Sequence, residues 1–415
     1  MASDPNGPLL LLNARLADGR QGVRILIRDG RIAALEEGTT PAEGTAAAAV
    51  FDLAGDLVLP GLVDGHMHLD KTLMGLPWTP HAAEPDRSSR IANDERLLPT
   101  LPLSTEARAG HLIRRSVAHG TAHIRTHVDI TPAFGLSALE GVLAAREAHA
   151  GAVTVQIVAF PQAGVMRHGP RAVVDLLDAA VRAGAELVGG LDPCEIDRDP
   201  RGQLDAIFGI AERRGVGVDI HLHEPGELGL FSLQEICART TALGMQGRVT
   251  VSHGFCLGGI AESKQHAAAE MMAKAGVRLA THGAGGATLP PVMLLRRAGV
   301  RVFCGNDNVR DTWSPYSTGD MLERAAIIGW RADLRHDPLL EELFAMATSE
   351  GAAALGITEY GLAPGRPATF FTLPAENIPD AIGAHPPRRL VFHAGRLVAR
   401  DGAYCGPGQE PLKAG

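Results

Sequence analysis

An apolar run, Leu57 to Val63, leads straight into Asp64-Gly65-His66-Met67-His68, two histidines two residues apart. Residues i and i+2 of a β-strand point to one face. His66 and His68 can therefore aim two imidazoles at one point just past a buried strand. A rigid element can hold a divalent cation in that way. Two histidines on one face are often mere neighbours, so the reading needs further ligands, and it needs other strands to end at the same place.

The rest of the chain supplies such strands. Short apolar segments alternate with Ala- and Leu-rich helical stretches, the pattern of βα units around a parallel sheet. Eight strand candidates run over Leu57–Val63, His123–Asp129, Thr154–Phe160, Glu186–Leu191, Gly217–His223, Arg248–His253, Arg278–His282 and Val300–Gly305. Helical stretches over Ser137–Ala150, Pro170–Ala183, Gln203–Arg214 and Ser232–Leu243 fill gaps between them. This predicts an α/β fold, a (β/α)8 barrel whose functional groups sit at the C-terminal ends of its strands. At 415 residues there is room for a second, smaller unit. Both chain ends read as hairpins: Val23–Arg28 turns at Asp29-Gly30, and Arg389–His393 turns at Ala394-Gly395. They are expected to share one sheet, the alternative being two unrelated hairpins. The expected division is 1–60 with 360–415 for that unit, and 61–359 for the barrel.

Composition removes several functions. A net charge of −8 and the absence of any basic run argue against a nucleic-acid partner. No stretch approaches a membrane span, and the apolar Leu9–Leu12 is too short for a signal segment. Five scattered cysteines without a C-x-x-C read as reduced thiols of a cytoplasmic protein.

Four strand ends carry the chemistry. They hold His66 and His68, then His221 in Asp219–Glu224, then His253 in Val249–Gly254, and Asp307 in Phe303–Asn308. Three imidazoles and a carboxylate make an N/O site suited to Zn²⁺ or Fe²⁺, with one position open. Taken singly, each histidine also reads as a hydrogen-bonded structural residue, and Asp307 as a helix N-cap.

Together these residues resemble the amidohydrolase superfamily, and within it the cytosine deaminase group, over essentially the whole chain. The carrying motifs are His66-Met67-His68, Arg125–Asp129, Gln156–Gly164, Val218–His221 and Val251–His253. Other segments are more similar to the N-isopropylammelide hydrolase branch: His68–Thr72, Leu187–Pro193, His221–His223 and Asp307–Trp313. The resemblance implies a β-sandwich from the chain ends, and His66, His68, His221 and Asp307 as ligands of one divalent ion. Binuclear relatives bridge two metals with a strand-four lysine. No lysine stands between Lys71 and Lys264, so one metal ion is expected.

The resemblance also assigns roles. Asp307 takes a proton from the attacking water, and His253 steers that water. Glu224 protonates the ring nitrogen and then the leaving amine; its plainer reading is a helix-start acid. Gln162 reads an amide-like ring edge. Lys71 holds a ring carbonyl or is simply solvated, and His223 enters the pocket. Trp313 walls the ring or merely packs, and Asn308 and His282 are minor candidates. The expected partner is a small heterocyclic substrate, with a homo-oligomer expected by analogy with the family. The expected reaction is deamination of a cytosine-like aminopyrimidine or aminotriazine, releasing ammonia. The alternatives are alkylamine release from an N-alkylammelide, cyclic-amide ring opening, and a non-catalytic binding barrel. Strand seven, Ala280–Gly286, lacks the Asn-Pro segment of cytosine deaminase, which leaves the ring unassigned.

Overall fold

The computed structural model describes residues 8–41, 49–81, 84–169, 171–283 and 285–408. Alternating apolar residues on the N-terminal side form β1 (Leu9–Leu16), β2 (Val23–Arg28), β3 (Arg31–Glu37), β4 (Ala49–Asp52) and β5 (Leu57–Pro60). Eight strands then follow in chain order: β6 (Leu62–Met67), β7 (Thr121–Asp129), β8 (Thr154–Phe160), β9 (Leu187–Leu191), β10 (Gly217–Leu222), β11 (Val249–His253), β12 (Arg278–Thr281) and β13 (Val302–Cys304). The C-terminal side adds β14 (Phe370–Leu373), β15 (Leu390–His393), β16 (Arg396–Arg400) and β17 (Ala403–Tyr404).

Strands β6 to β13 pair in parallel, each with its chain neighbour. Helices connect them on the outside, so the expected α/β barrel is what forms. Closure comes just past β13, where the Asp307 N–H donates to the His66 carbonyl at 2.7 Å. Gly305 makes that approach possible, because a Cβ there would stand 2.4 Å from the His66 backbone. The last strand thus locks onto the first at the histidine that opens the site.

The chain ends do share a sheet, in the order β17-β16-β15-β14-β5-β1-β2-β3, with β4 beside β1. β1 turns its corner at Asn13, whose φ is 56°, and its register shifts between Leu11 and Ala14. Its first half pairs with β2 and β4, and its end pairs with β5. Leu11, Val23, Ile25 and Ile32 from one half meet Val58, Phe370 and Phe392 from the other in a single apolar core. That is a β-sandwich made by folding one sheet over.

One expectation needs correction. Leu57–Val63 is not a single barrel strand. Leu57–Pro60 belongs to the terminal sheet, paired with β14, and the barrel starts at Leu62. Apolar residues continue without interruption because both strands are buried, so hydropathy alone does not mark the break. Gly61 does: a Cβ there would lie 2.6 Å from the Ala122 Cβ. Helix starts also move. The helix expected from Ser232 begins at Gly226, and the one expected from Gln203 begins at Pro200, N-capped by Asp199. A further helix, Arg87–Leu97, stands in the connection from β6 to β7, capped by the Asp86 carboxylate on the Ser89 N–H. No described helix is long and apolar enough to cross a membrane.

Candidate metal centre and ring pocket

The C-terminal ends of the barrel strands gather six imidazoles and a carboxylate. His66, His68, His127, His221, His253, His282 and Asp307 are all buried. The His66 ring centroid lies 4.1 Å from His127, 4.7 Å from His221 and 4.9 Å from His253. Asp307 Oδ1 is 3.4 Å from His66 Nε2 and 3.3 Å from His68 Nε2. His68 Nε2 and His221 Nε2 are 3.5 Å apart. Donors about 2.1 Å from one tetrahedral ion stand about 3.4 Å from one another. His66, His68 and His221 bring their donors within 4.8 Å of one another, the spacing one small cation needs, and His66, His253 and Asp307 form a second such group that shares His66.

The nitrogens are also available. Among the described residues, His66 Nε2, His253 Nε2 and both nitrogens of His127 find no hydrogen-bond partner. Burial, reinforced by the neighbouring imidazoles, holds His127, His221 and His253 well below the ordinary histidine range. Burial and then Lys71 lower His68, and His282 falls to about 3 for the same first reason. Those rings are neutral and keep their lone pairs. Burial works the other way on Asp307, but His282, His66 and His68 outweigh it and keep its carboxyl well below the usual value. His253 and Asp307 hold φ of 74° and 59°, left-handed geometry that side chains rarely adopt and that recurs at functional sites.

Beneath the cluster a polar chain fixes His66. The Ser252 hydroxyl donates to Asp219 Oδ1 at 2.7 Å, so it accepts from His66 Nδ1–H at 2.9 Å. That bond sets the His66 tautomer and turns its Nε2 lone pair toward the cluster. Asp219 is paired in turn with Arg125 at 3.1 Å. Arg125 bonds Gln156 and the Ala354 carbonyl. With Arg125 and Ser252 upon it, Asp219 is committed, although it stands near His66 and His127.

One wall beside the cluster is built from expected and unexpected residues. Lys71 Nζ donates to Asp129 at 3.0 Å and to Gln162 Oε1. It lies 5.6 Å from the Trp313 ring centroid and 5.9 Å from that of Phe160. Lys71 is fully buried, so it is not a solvated lysine. Burial opposes its charge, but Asp129, Asp94 and Asp70 outweigh burial and hold the ammonium. Gln162 departs from expectation: its Nε2 donates to Asp94 at 2.9 Å while its Oε1 receives Lys71. Both ends of the amide are used inside the wall. Trp313 donates its indole N–H to the same Asp94, at 2.6 Å. Asn308 bonds Asp311 within its own loop, and Asp307 caps no helix.

His223 and Glu224, the two candidates for proton transfer, stand just past β10. Glu224 accepts from the Cys194 N–H at 2.6 Å, from the Glu195 N–H at 2.9 Å and from the Ser232 hydroxyl. Burial raises its carboxyl above the usual range. Among the described residues, none of its hydrogen bonds goes to the histidine cluster. His223 stacks on His253 with centroids 4.3 Å apart, and its Nδ1 lies 2.8 Å from Asp192 Oδ2.

Three residues escaped the sequence reading. His127 carried a signal: His123, Arg125, His127 and Asp129 alternate along one strand and share its face. Asp192 and Asp94 carried none, since each is an isolated acid in an irregular or polar stretch.

Comparison with known proteins agrees with this geometry. The amidohydrolase family model matches residues 49–399. N-isopropylammelide isopropyl amidohydrolase of Pseudomonas sp. (strain ADP) is 31% identical, over 95% of this chain and 97% of that protein. The crystal structure of N-isopropylammelide isopropylaminohydrolase from Burkholderia multivorans ATCC 17616 is 44% identical, with a TM-score of 0.90, covering 96% of this chain and 100% of the other. That of 5-methylcytosine deaminase from Klebsiella pneumoniae, liganded with 5-fluorocytosine, is 27% identical, with a TM-score of 0.81 and coverages of 94% and 97%. A barrel mouth lined with buried neutral imidazoles, and a family match over most of its length, identify the chain as a hydrolase of the amidohydrolase family.

Proposed function

We propose that this hydrolase removes an exocyclic amine from an oxo-substituted aminotriazine or aminopyrimidine, leaving the ring intact. The observation that carries the reading is the donor group of His66, His68 and His221, with Asp307 Oδ1 3.3 Å from His68 Nε2, near a buried Lys71 whose ammonium acts on His68. The likeness to N-isopropylammelide isopropylaminohydrolase supports an s-triazine with an alkylamine or ammonia as leaving group. A second reading, a cytosine-type aminopyrimidine, is supported by the likeness to 5-methylcytosine deaminase.

A zinc or iron(II) ion held by those four residues would act as a Lewis acid and bring the pKa of water near neutrality. The protein's own groups do the rest. Asp307 accepts the attacking water's proton at Oδ2, the oxygen 3.3 Å from His282 rather than the one between His66 and His68. His253 orients that water through Nε2, which has no protein partner. His223, fixed on Asp192 through Nδ1, gives its Nε2 proton to the ring nitrogen; the proton taken by Asp307 passes to the departing amine, and the added hydroxyl returns its proton to His223 as the carbonyl forms. Lys71 donates to a ring oxygen, with Trp313 and Phe160 flanking it. Glu224, expected in the acid role, braces the Cys194–Glu195 backbone behind His223 instead.

Free cysteines suit a cytoplasmic setting. We assign the division between the two units to residues near 60 and 360; β5 ends at Pro60 and β6 begins at Leu62, and the helix Ser349–Leu355 ends before β14 begins at Phe370.

The test is a panel of N-isopropylammelide, ammelide and cytosine, with ammonia, alkylamine and ring opening measured separately on the zinc-loaded protein. Amine release from an intact triazine is expected. Ring opening, or no turnover of any of the three, overturns the proposal. Ammonia from cytosine alone moves the assignment to the second reading.

A further inference from the structure

Helix Arg87–Leu97 reaches the pocket from the connection between β6 and β7, and it inserts one carboxylate into the wall. Asp94 is fully buried. Its Oδ2 accepts from Gln162 Nε2 at 2.9 Å and from Trp313 Nε1 at 2.6 Å, and its Oδ1 accepts from the Thr312 hydroxyl. Lys71 Nζ stands 3.8 Å from Oδ2. The helix is anchored separately. Arg87 pairs with Asp192 at 3.2 Å and with Glu195. Ile91 packs against Phe160, Leu191 and Ile196.

These contacts have a direction. The Asp94 oxygen that receives the Trp313 N–H is an acceptor, so the amide end of Gln162 faces it. The carbonyl end must then face Lys71, which is where it lies. Gln162 and Asp129 together take two of the three ammonium protons, and one remains. Trp313 is also committed, because its single polar hydrogen is spent on Asp94. A ring entering beside this wall meets one cationic donor and an indole held in place. It does not meet the donor–acceptor pair of a free glutamine amide.

We propose that Asp94 is a positioning residue that sets ring specificity, by ordering Gln162 and Trp313 so that Lys71 alone addresses the substrate edge. The wall favours a ring with an oxygen at that edge. It discriminates against one that needs both donor and acceptor from Gln162. The proposal rests on the function proposed above for its kinetic consequence, but the ordering itself is observable without turnover.

The experiment compares Asp94→Ala and Asp94→Asn in a protein whose exposed Trp78 and Trp330 are replaced by Phe, leaving Trp313 as the one tryptophan. Asn can keep an oxygen toward Gln162 and Trp313 and turn its amide to the Thr312 hydroxyl. In the Ala variant the Trp313 emission is expected to shift to the red. Its KM for the ring turned over by the parent is expected to rise about tenfold or more, the loss of at least one charge-assisted hydrogen bond, with zinc content and kcat changed far less. The Asn variant is expected to restore both readouts. If Trp313 emission is the same in the parent and the Ala variant, the proposal fails. A fall in kcat and zinc content in step with KM fails it too, as a merely structural effect. If the Ala variant does not fold, the Asn variant decides alone, and a tenfold rise in its KM overturns the proposal. If the parent turns over no ring, the function reading fails while the emission comparison still judges the ordering.

Discussion

His223 Nδ1 lies 2.8 Å from Asp192 Oδ2, which leaves Nε2 as the uncommitted nitrogen of a ring stacked on His253. Asp192 also accepts from the His223 and Glu224 N–H groups and pairs with Arg87. Burial disfavours its charge, but His223 and Arg87 outweigh that and keep it ionised. An ionised, buried orienter behind an imidazole makes a proton carrier. His223→Asn is therefore expected to lower kcat about 100-fold or more, the usual share of a general acid–base group. Glu224→Gln can still accept from Cys194 and Glu195, and is expected to lose no more than about tenfold, one hydrogen bond's worth. Steady-state kinetics of both variants check this, and the reverse order returns the acid role to Glu224.

Ser252 should matter to metal affinity without touching the metal. Its hydroxyl sets the tautomer of His66 and links it to Asp219. Ser252→Ala is expected to weaken zinc binding about 10- to 100-fold, the typical effect of losing a ligand's supporting hydrogen bond. Competition titration against a chromogenic chelator measures it. An unchanged constant would show that His66 is oriented by packing alone.

Metal removal should be felt in stability. Buried nitrogens without partners cost about 1–3 kcal/mol each, and the cluster holds several of them. Zinc at about 1,000 times its Kd is expected to add about 4 kcal/mol to unfolding free energy. Thermal melts with chelator and with zinc restored read this directly. The His66→Ala protein is expected to show a much smaller zinc-induced rise.

Far from the cluster, His123 on β7 and His393 on β15 bring their ring centroids to 6.0 Å. Burial and then mutual repulsion lower His123 to about 3, and burial and then Arg396 lower His393 to about 4. Both folded values lie below the unfolded value of about 6.5, so the unfolded chain takes up protons first. The stability they permit is complete above pH about 6.5, and is lost as pH falls toward 4 and 3. Between pH 7 and pH 5 the parent should lose about 2 kcal/mol more than His393→Leu. Urea unfolding of both metal-free proteins at the two pH values tests the difference.

Lys71 holds together carboxylates that would otherwise repel. Asp129 and Asp94 face it at 3.0 and 3.8 Å in a fully buried setting. Lys71→Met is expected to cost about 3–5 kcal/mol, as when one member of a buried ion pair is removed. Adding Asp129→Asn should recover part of that loss. Denaturant titration of the single and double variants gives the comparison, and no recovery would mean the cost is packing rather than charge.

Much of this was readable before any coordinates. Period-two alternation around Asp29-Gly30 and Ala394-Gly395 marked both terminal hairpins, and the strand ends that bear His66, His68, His221, His253 and Asp307 followed from βα rhythm. Hydropathy hid the change of sheet that Gly61 marks, since Leu57–Val63 is apolar on both sides of it and both flanks are buried. Gln162 was assigned a ligand-reading role from its residue type. What directs its amide inward is Asp94, 68 residues away on a mostly polar helix whose one buried apolar residue, Ile91, gives no periodic signal. Contacts of that kind depend on where a long connection lands, which local pattern does not encode. His127 was readable, since it alternates with Arg125 and Asp129 on one face of β7.

The strand β5 pairs with β14 from the far end of the chain and, after Gly61 alone, becomes the strand that carries His66. A fragment trimmed to the barrel would leave the Val58–Leu59 edge unzipped one peptide upstream of the first ligand strand. Fusion partners and shortened versions should therefore respect both tails, because the sheet they weave is the mooring of the first imidazole.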